Sequence, residues 1–167
     1  GLVVADVSGK GVPAALIMAT FRAALRQEIR RHAELGVLAS RLNRAVIESR
    51  DAARFVTAVC GVLDPGSGRL AYVNCGHNPP LLLRSGGGRD ALSAGGPALG
   101  LLEEGAFGTG ETVLAPGDCL VLYTDGVVEP TDEGDREFGV ERLEATVRAA
   151  SGRPASDALP GVVEATR

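Results

Sequence analysis

Tryptophan is absent from this 167-residue chain, which has one methionine, two tyrosines and four phenylalanines. A core with so few rings has to be filled by aliphatic side chains. Cysteine is scarce as well: Cys60, Cys75 and Cys119 each sit inside an apolar run. Their spacing matches no zinc pattern and their number is odd. They read as reduced core residues of a cytoplasmic protein. No apolar run reaches the ~20 residues of a membrane helix, and no charged start leads into an apolar signal core. No membrane span is expected in this segment. Positive charge is not in excess, since the net charge is −4. That excludes the basic surface on which non-specific nucleic-acid binding depends. The 45% hydrophobic and 23% charged content is ordinary for a globular domain, and the length suits one. Neither an internal repeat nor a dividing linker is present.

Glycine is plentiful, at 23 residues, and two of its clusters follow acids. The apolar run Val3-Val4-Ala5 delivers Asp6 to the end of an expected strand. Ser8-Gly9-Lys10-Gly11 follows, in which Gly9 and Gly11 allow a tight turn and close approach to a ligand. Pro13 suits the first turn of a helix. A second run, Cys119 to Thr124, ends in Asp125 with Gly126 directly behind it. Two carboxylates presented by tight turns are a plausible half of a metal site.

Between these two stretches the period of the apolar residues changes. Met18, Phe21, Leu25 and Ile29 fall at helical spacing from Pro13 to about His32, with Arg22, Arg26, Arg30 and Arg31 as a solvated face. A second helix is expected from Gly36 to about Ser49. Phe55 to Leu63 is a β-branched apolar run, Asp64-Pro65-Gly66-Ser67-Gly68 is a turn, and Arg69 to Cys75 returns as a strand. Gly76-His77-Asn78-Pro79-Pro80 breaks it, and Leu81 to Arg84 is a further short strand. Ser85 to Arg89 and Gly95 to Gly100 read as irregular segments. Glu111 to Leu114 reads as an edge strand, and Cys119 to Thr124 as a central one. An acidic loop, Thr131 to Arg136, precedes helices from about Val140 to Ala149 and from Ala155 onward, the latter interrupted by Pro160. A helix pair, a run of short strands and closing helices make an α+β domain on an antiparallel core.

Three chemistries are open to Asp6 and Asp125. Carboxylate, carbonyl and water oxygens suit Mg²⁺ or Mn²⁺. Ser8-Gly9-Lys10-Gly11 is a poor P-loop, lacking the first glycine and the Ser/Thr after the lysine. Nucleophilic catalysis by Ser8 or a cysteine with His77 lacks any nucleophile-elbow sequence. Spacing alone also allows both acids to be turn or cap residues.

The string Asp6-Val7-Ser8-Gly9-Lys10-Gly11 with Ala14-Ala15 closely resembles the signature of the SpoIIE/RsbU-type bacterial phosphatases, of the metal-dependent PPM class. The likeness continues through Phe55-Val56-Thr57-Ala58, Leu63-Asp64, Asn74-Cys75-Gly76-His77-Asn78-Pro79-Pro80 and Gly96-Pro97-Ala98-Leu99-Gly100 to Tyr123-Thr124-Asp125-Gly126-Val127-Val128-Glu129. The resemblance implies an αββα sandwich of two antiparallel sheets flanked by helices. It implies two Mn²⁺ or Mg²⁺ ions and hydrolysis of phosphoserine or phosphothreonine by metal-activated water. Carried over by position, Asp6 and Asp125 are carboxylate ligands and Val7 offers its backbone carbonyl. Lys10 could meet the substrate phosphate. Gly9, Gly11, Asn74, His77 and Gly126 are turn-forming residues, and Glu129 could support the site from behind. Typical substrates are phosphorylated STAS-domain antagonists of anti-sigma factors, and a sensor or receiver domain commonly stands upstream. The family pattern also has an earlier Gly-Gly-Asp-type strand and a late Asp-Asp-x-Thr segment. Neither occurs in residues 1–167, so the chain is expected to be one domain truncated at both ends, binding Mn²⁺ weakly by itself. A non-catalytic relay module that keeps the fold and binds a regulatory partner is the alternative.

Overall fold

The computed structural model describes residues 1–30, 34–49, 54–132 and 134–166. Strand β1 (Leu2–Val7) leads through the glycine turn into α1 (Val12–Glu28) and then α2 (Leu35–Ser49). Strands β2 (Val56–Leu63), β3 (Arg69–Cys75), β4 (Leu81–Leu83), β5 (Arg89–Ala91), β6 (Gly95–Gly96), β7 (Gly110–Val113) and β8 (Cys119–Val121) follow. Helices α3 (Asp125–Val128), α4 (Gly139–Ala149) and α5 (Ala155–Ala165) close the chain. One sheet has the order β1-β2-β3-β6 with β7 also paired to β3, and the other has the order β5-β4-β8. All pairings are antiparallel except the two-residue β3–β6 pair.

Strand alternation sorts the side chains into layers. Ala5, Val7, Val56, Ala58 and Cys60 face α1 and α2, where they meet Ile17, Phe21, Leu38, Leu42 and Val46. The opposite faces of the same strands join Leu70, Tyr72, Leu82 and Leu92 between the sheets, with Leu2, Leu63 and Leu120 against them. Leu81, Leu83 and Tyr123 pack outward against Phe138, Leu143 and Val147. The result is helices, sheet, sheet, helices. This is the αββα sandwich, with a core as aliphatic as the composition requires.

Several boundaries differ from the sequence expectations. Helix α1 stops at Glu28, and its buried stripe is Ala14, Ile17 and Phe21; Ile29 is exposed beyond its end. Arg31 and His32 lie outside the described residues, as does Glu133 of the acidic loop. Asp132 folds that loop by accepting the Gly134 and Arg136 amides. Ser85 to Arg89 is not merely loop: the Arg84 amide donates to the Gly88 carbonyl, and the chain returns as β5. Gly95–Gly96 forms a strand beside β3 because glycine alone fits there; a Cβ at Gly95 would overlap the Asn74 carbonyl. Helix α5 runs through Pro160. The Cys119–Thr124 strand is shorter than expected and not central: β8 ends at Val121 and pairs only with β4 among the described strands. Likewise β1 pairs only with β2. An apolar run signals burial on both faces, which helices and a facing sheet supply without a second neighbouring strand.

At the end of the sandwich holding Asp118, Arg84 bridges the sheets. Its guanidinium donates to the Val113 carbonyl at 2.7 Å and to Asp118 at 2.9 Å, and it also binds Asp90. Asp118 further accepts the Ser85 and Ala115 amides at 2.9 and 3.0 Å. Those two amides and Arg84 hold its carboxyl down at about 2.

Two predictions follow from this packing. Gly95→Ala should destabilise the domain by about 1–3 kcal/mol through overpacking, read as a lower denaturant midpoint; an unchanged midpoint would contradict the close approach. Because the folded-state Asp118 pKa lies below the ordinary value near 3.9, its contribution is complete above about pH 4 and is lost as the pH falls towards 2. Asp118→Asn should therefore lower the melting temperature at pH 7 and flatten its fall between pH 4 and 2.

Candidate metal centre

Asp6 and Asp125 reach the same cleft from different sheets. Asp6 is the penultimate residue of β1, on the face turned towards the second sheet, directly opposite Thr57 of β2. Asp125 does not end a strand as expected. It opens the short helix α3, four residues after the end of β8, with Thr124 in extended conformation before it. The cleft, of about 520 Å³, is lined by Asp6, Val7, Lys10, Thr57, Asp125 and Glu129 together with the glycine turns. Hollows of similar or greater size lie along α2, one of about 680 Å³ beside residues 103–106. In both, carboxylates share the lining with an arginine: Arg44 beside Glu48, Glu103 and Glu104 in one, Arg41 beside Glu34 and Glu111 in the other.

Each carboxylate is held by one oxygen. Asp6 Oδ1 accepts the amide of Val7 at 2.7 Å, and Asp125 Oδ1 accepts the amide of Gly126 at 2.7 Å. Among the described residues no Lys, Arg or His forms an ion pair with either. Two carboxylates that line one cleft and form no ion pair with the protein are suited to a divalent cation, which favours both charges. Hard oxygen donors of this kind fit Mg²⁺ or Mn²⁺. The protein share is small, because no group of three acidic, histidine or cysteine side chains able to hold a metal occurs among the described residues. Water would have to supply the remaining ligands, as it commonly does for Mg²⁺.

The turn after Asp6 is fixed by its neighbours. The Ser8 amide donates to the Phe55 carbonyl, the Phe55 amide donates to Ser8 Oγ at 2.9 Å, and Arg54 Nη1 donates to the Ser8 carbonyl at 3.2 Å. Gly9 has φ +91°, and any Cβ there would run into the Arg54 guanidinium. The positive φ calls for glycine, and a side chain here would also displace the Arg54 guanidinium. Gly11, at φ +81°, precedes α1. Lys10 is exposed at the cleft rim. Glu129 lines the cleft, and its amide donates to the Asp125 carbonyl, closing α3.

Asn74 and His77 are buried, at 4% and 7% exposure. Asn74 Oδ1 accepts the His77 amide at 2.8 Å and its Nδ2 donates to the His77 carbonyl at 2.9 Å, bracketing the turn. The His77 ring lies 2.8 Å from Thr57 Oγ1 at Nδ1 and 3.0 Å from the Tyr123 carbonyl at Nε2. Thr57 and Arg54 were not singled out from the sequence. Thr57 stands in the family-like run Phe55-Val56-Thr57-Ala58, a hydroxyl inside an otherwise apolar strand, but that run assigned it no role.

The whole chain, residues 1–167, matches the family model described as Stage II sporulation protein E (SpoIIE). Among curated relatives, Protein IcfG of Synechocystis sp. is 31% identical over 89% of this chain and 28% of its own length. Phosphoserine phosphatase RsbP of Bacillus subtilis is 30% identical over 78% of this chain and 34% of its own length. The chain thus spans about a third of the curated relatives it matches. Among solved structures, the RsbU and RsbW domains of Rv1364c from Mycobacterium tuberculosis superpose with TM-score 0.80 at 30% identity, over 98% of this chain and 47% of that one. The SiaA-PP2C domain of Pseudomonas aeruginosa superposes with TM-score 0.84 at 23% identity, over 98% of this chain and 66% of that one. The sandwich is therefore the PP2C-type phosphatase fold, and this chain belongs to the SpoIIE family.

Proposed function

We propose that this chain is the phosphatase domain of a signalling protein, hydrolysing phosphoserine or phosphothreonine on a partner protein with the help of Mn²⁺ or Mg²⁺. The observation that carries the reading is the pair Asp6 and Asp125, brought to one cleft from β1 and α3, with no ion pair to either among the described residues. Asp6, the Val7 carbonyl and Asp125 would hold the metal. A divalent cation in such a site supplies a Lewis acid and an activated water for attack on phosphorus. Lys10, at the rim, is placed to meet a phosphate arriving from solvent. The glycine turns leave the approach to the acids free of side chains, which suits a phosphorylated segment of a folded protein.

The substrate class follows the family: a phosphorylated STAS-domain protein of a sigma-factor pathway. The relatives named phosphoserine phosphatase support the chemistry. A neighbour of the same fold, RsbX, is described in complex with magnesium. A sensor or receiver domain elsewhere in the protein and two bound ions belong to the same reading, and the curated relatives are long enough to hold further domains. Buried, unpaired Cys60 and Cys75, their thiols pushed up to about 11 and 12 by burial, suit a cytoplasmic protein. No described helix is long and apolar enough to cross a membrane.

The test is Mn²⁺-dependent phosphate release from a phosphoserine STAS protein by the full-length protein. Asp125→Asn should lower turnover at least about a hundredfold, since a neutral amide holds a cation poorly yet still makes the same turn. Circular dichroism and melting should stay unchanged. Equal turnover in variant and parent at saturating Mn²⁺ would remove Asp125 from the site. A parent that binds the STAS protein without releasing phosphate would favour the relay module.

A further inference from the structure

His77 forms no hydrogen bond with either carboxylate, yet its ring joins the strand beside Asp6 to the segment leading into Asp125. A carbonyl oxygen only accepts, so Nε2, 3.0 Å from the Tyr123 carbonyl, carries a hydrogen. In the neutral ring Nδ1 is then the acceptor, and the Thr57 hydroxyl donates to it across 2.8 Å. Both ring nitrogens are engaged. The backbone of His77 is itself clamped by Asn74, whose amide group also reaches the Leu92 carbonyl at 3.4 Å. The ring therefore has little freedom to tilt.

The two ends of this bridge matter for the cleft. Thr57 lies directly opposite Asp6 in the β1–β2 register, so their side chains stand side by side on one face. Tyr123 stands two residues before Asp125. Between β8 and α3 the chain has no strand partner among the described residues. Its carbonyl at Tyr123 is tied instead to the His77 ring. Apolar packing between the sheets is non-directional and leaves their relative slide soft, whereas a buried imidazole with two directional bonds does not.

We propose that His77, as the neutral Nε2–H tautomer, is a positioning residue. It spans from Thr57 to the Tyr123 carbonyl and sets the separation of Asp6 and Asp125. The consequence for metal binding rests on the phosphatase reading; the mechanical coupling does not.

Two measurements on the full-length protein decide it. The first is amide hydrogen exchange without metal, by peptide mass. Thr57→Val keeps the shape of the strand residue but loses the hydroxyl, and His77→Gln can reach only one partner. In both, exchange in residues 122–128 should quicken about tenfold, with residues 69–75 unchanged. Thr57→Ser, which keeps the hydroxyl, should behave as the parent. The second is Mn²⁺ affinity from the paramagnetic resonance of free Mn²⁺. Each of the two damaging variants should bind about 10–100-fold more weakly, and the double variant no more weakly than the worse single one.

Unchanged exchange in residues 122–128, or equal quickening in 69–75, overturns the coupling. Quickened exchange with parental Mn²⁺ affinity overturns the link to the aspartates, and so do losses that add in the double variant. If the parent binds no Mn²⁺, the metal site falls with the phosphatase reading, and with it the role of His77 in setting that site. The exchange result still decides whether the bridge exists.

Discussion

Two sheets packed face to face can share a site at their end only if neither slides against the other. Burial of Leu70, Tyr72, Leu82 and Leu92 holds them together, at the spacing of roughly 10 Å usual for such packing. That force is proportional to area and has no direction, so it resists separation more than shear. Direction comes from polar side chains that cross the gap. At one end Arg84, on the second sheet, donates to the Val113 carbonyl on the first. At the other, the His77 ring lies between Thr57 and the Tyr123 carbonyl. The cleft lies at the His77 end.

Placement of the acids at strand exits follows from the same architecture. A carboxylate inside either apolar layer would lose its hydration without compensation. Asp6 avoids this near the end of β1 and Asp125 at the start of α3, each steadied by the next amide. Their second oxygens are left for the cleft. The turns behind them carry little bulk, and at Gly9 the reason is structural as well as functional. Arg54 occupies the space where a side chain would begin, and by binding the Ser8 carbonyl it ties the turn to the entry of β2. The loop after Asp6 is thus built from the sheet outward.

Much of this was legible in the chain. The α+β layering followed from the apolar run Phe55 to Leu63, its turn and the returning strand Arg69 to Cys75, and from helical spacing before and after them. The family motifs named Asp6 and Asp125 as a pair, and both line one cleft. Less legible was anything set by a partner distant in sequence. Arg89–Ala91 is polar and exposed, and becomes a strand only because β4 offers an unpaired edge. Gly95–Gly96 has no strand propensity at all, and is recruited because Asn74 leaves no space for a Cβ. The run from Cys119 to Thr124 promised a longer, central strand than it forms, since apolar content reports burial and not the number of strand neighbours.

The amino-acid sequence by itself determined which segments could bury a face, where the chain had to turn, and which acids stood next to those turns. Those are properties of residues a few positions apart, governed by periodicity, backbone freedom at glycine and the cost of burying charge. Only the tertiary structure decided that Asp6 lies beside Thr57, that His77 reaches Thr57 and Tyr123 together, and that Arg54 seals the turn at Gly9. These contacts join residues 20 to 51 positions apart. They depend on sheet register and on the slide of one sheet over the other, and no local pattern encodes either.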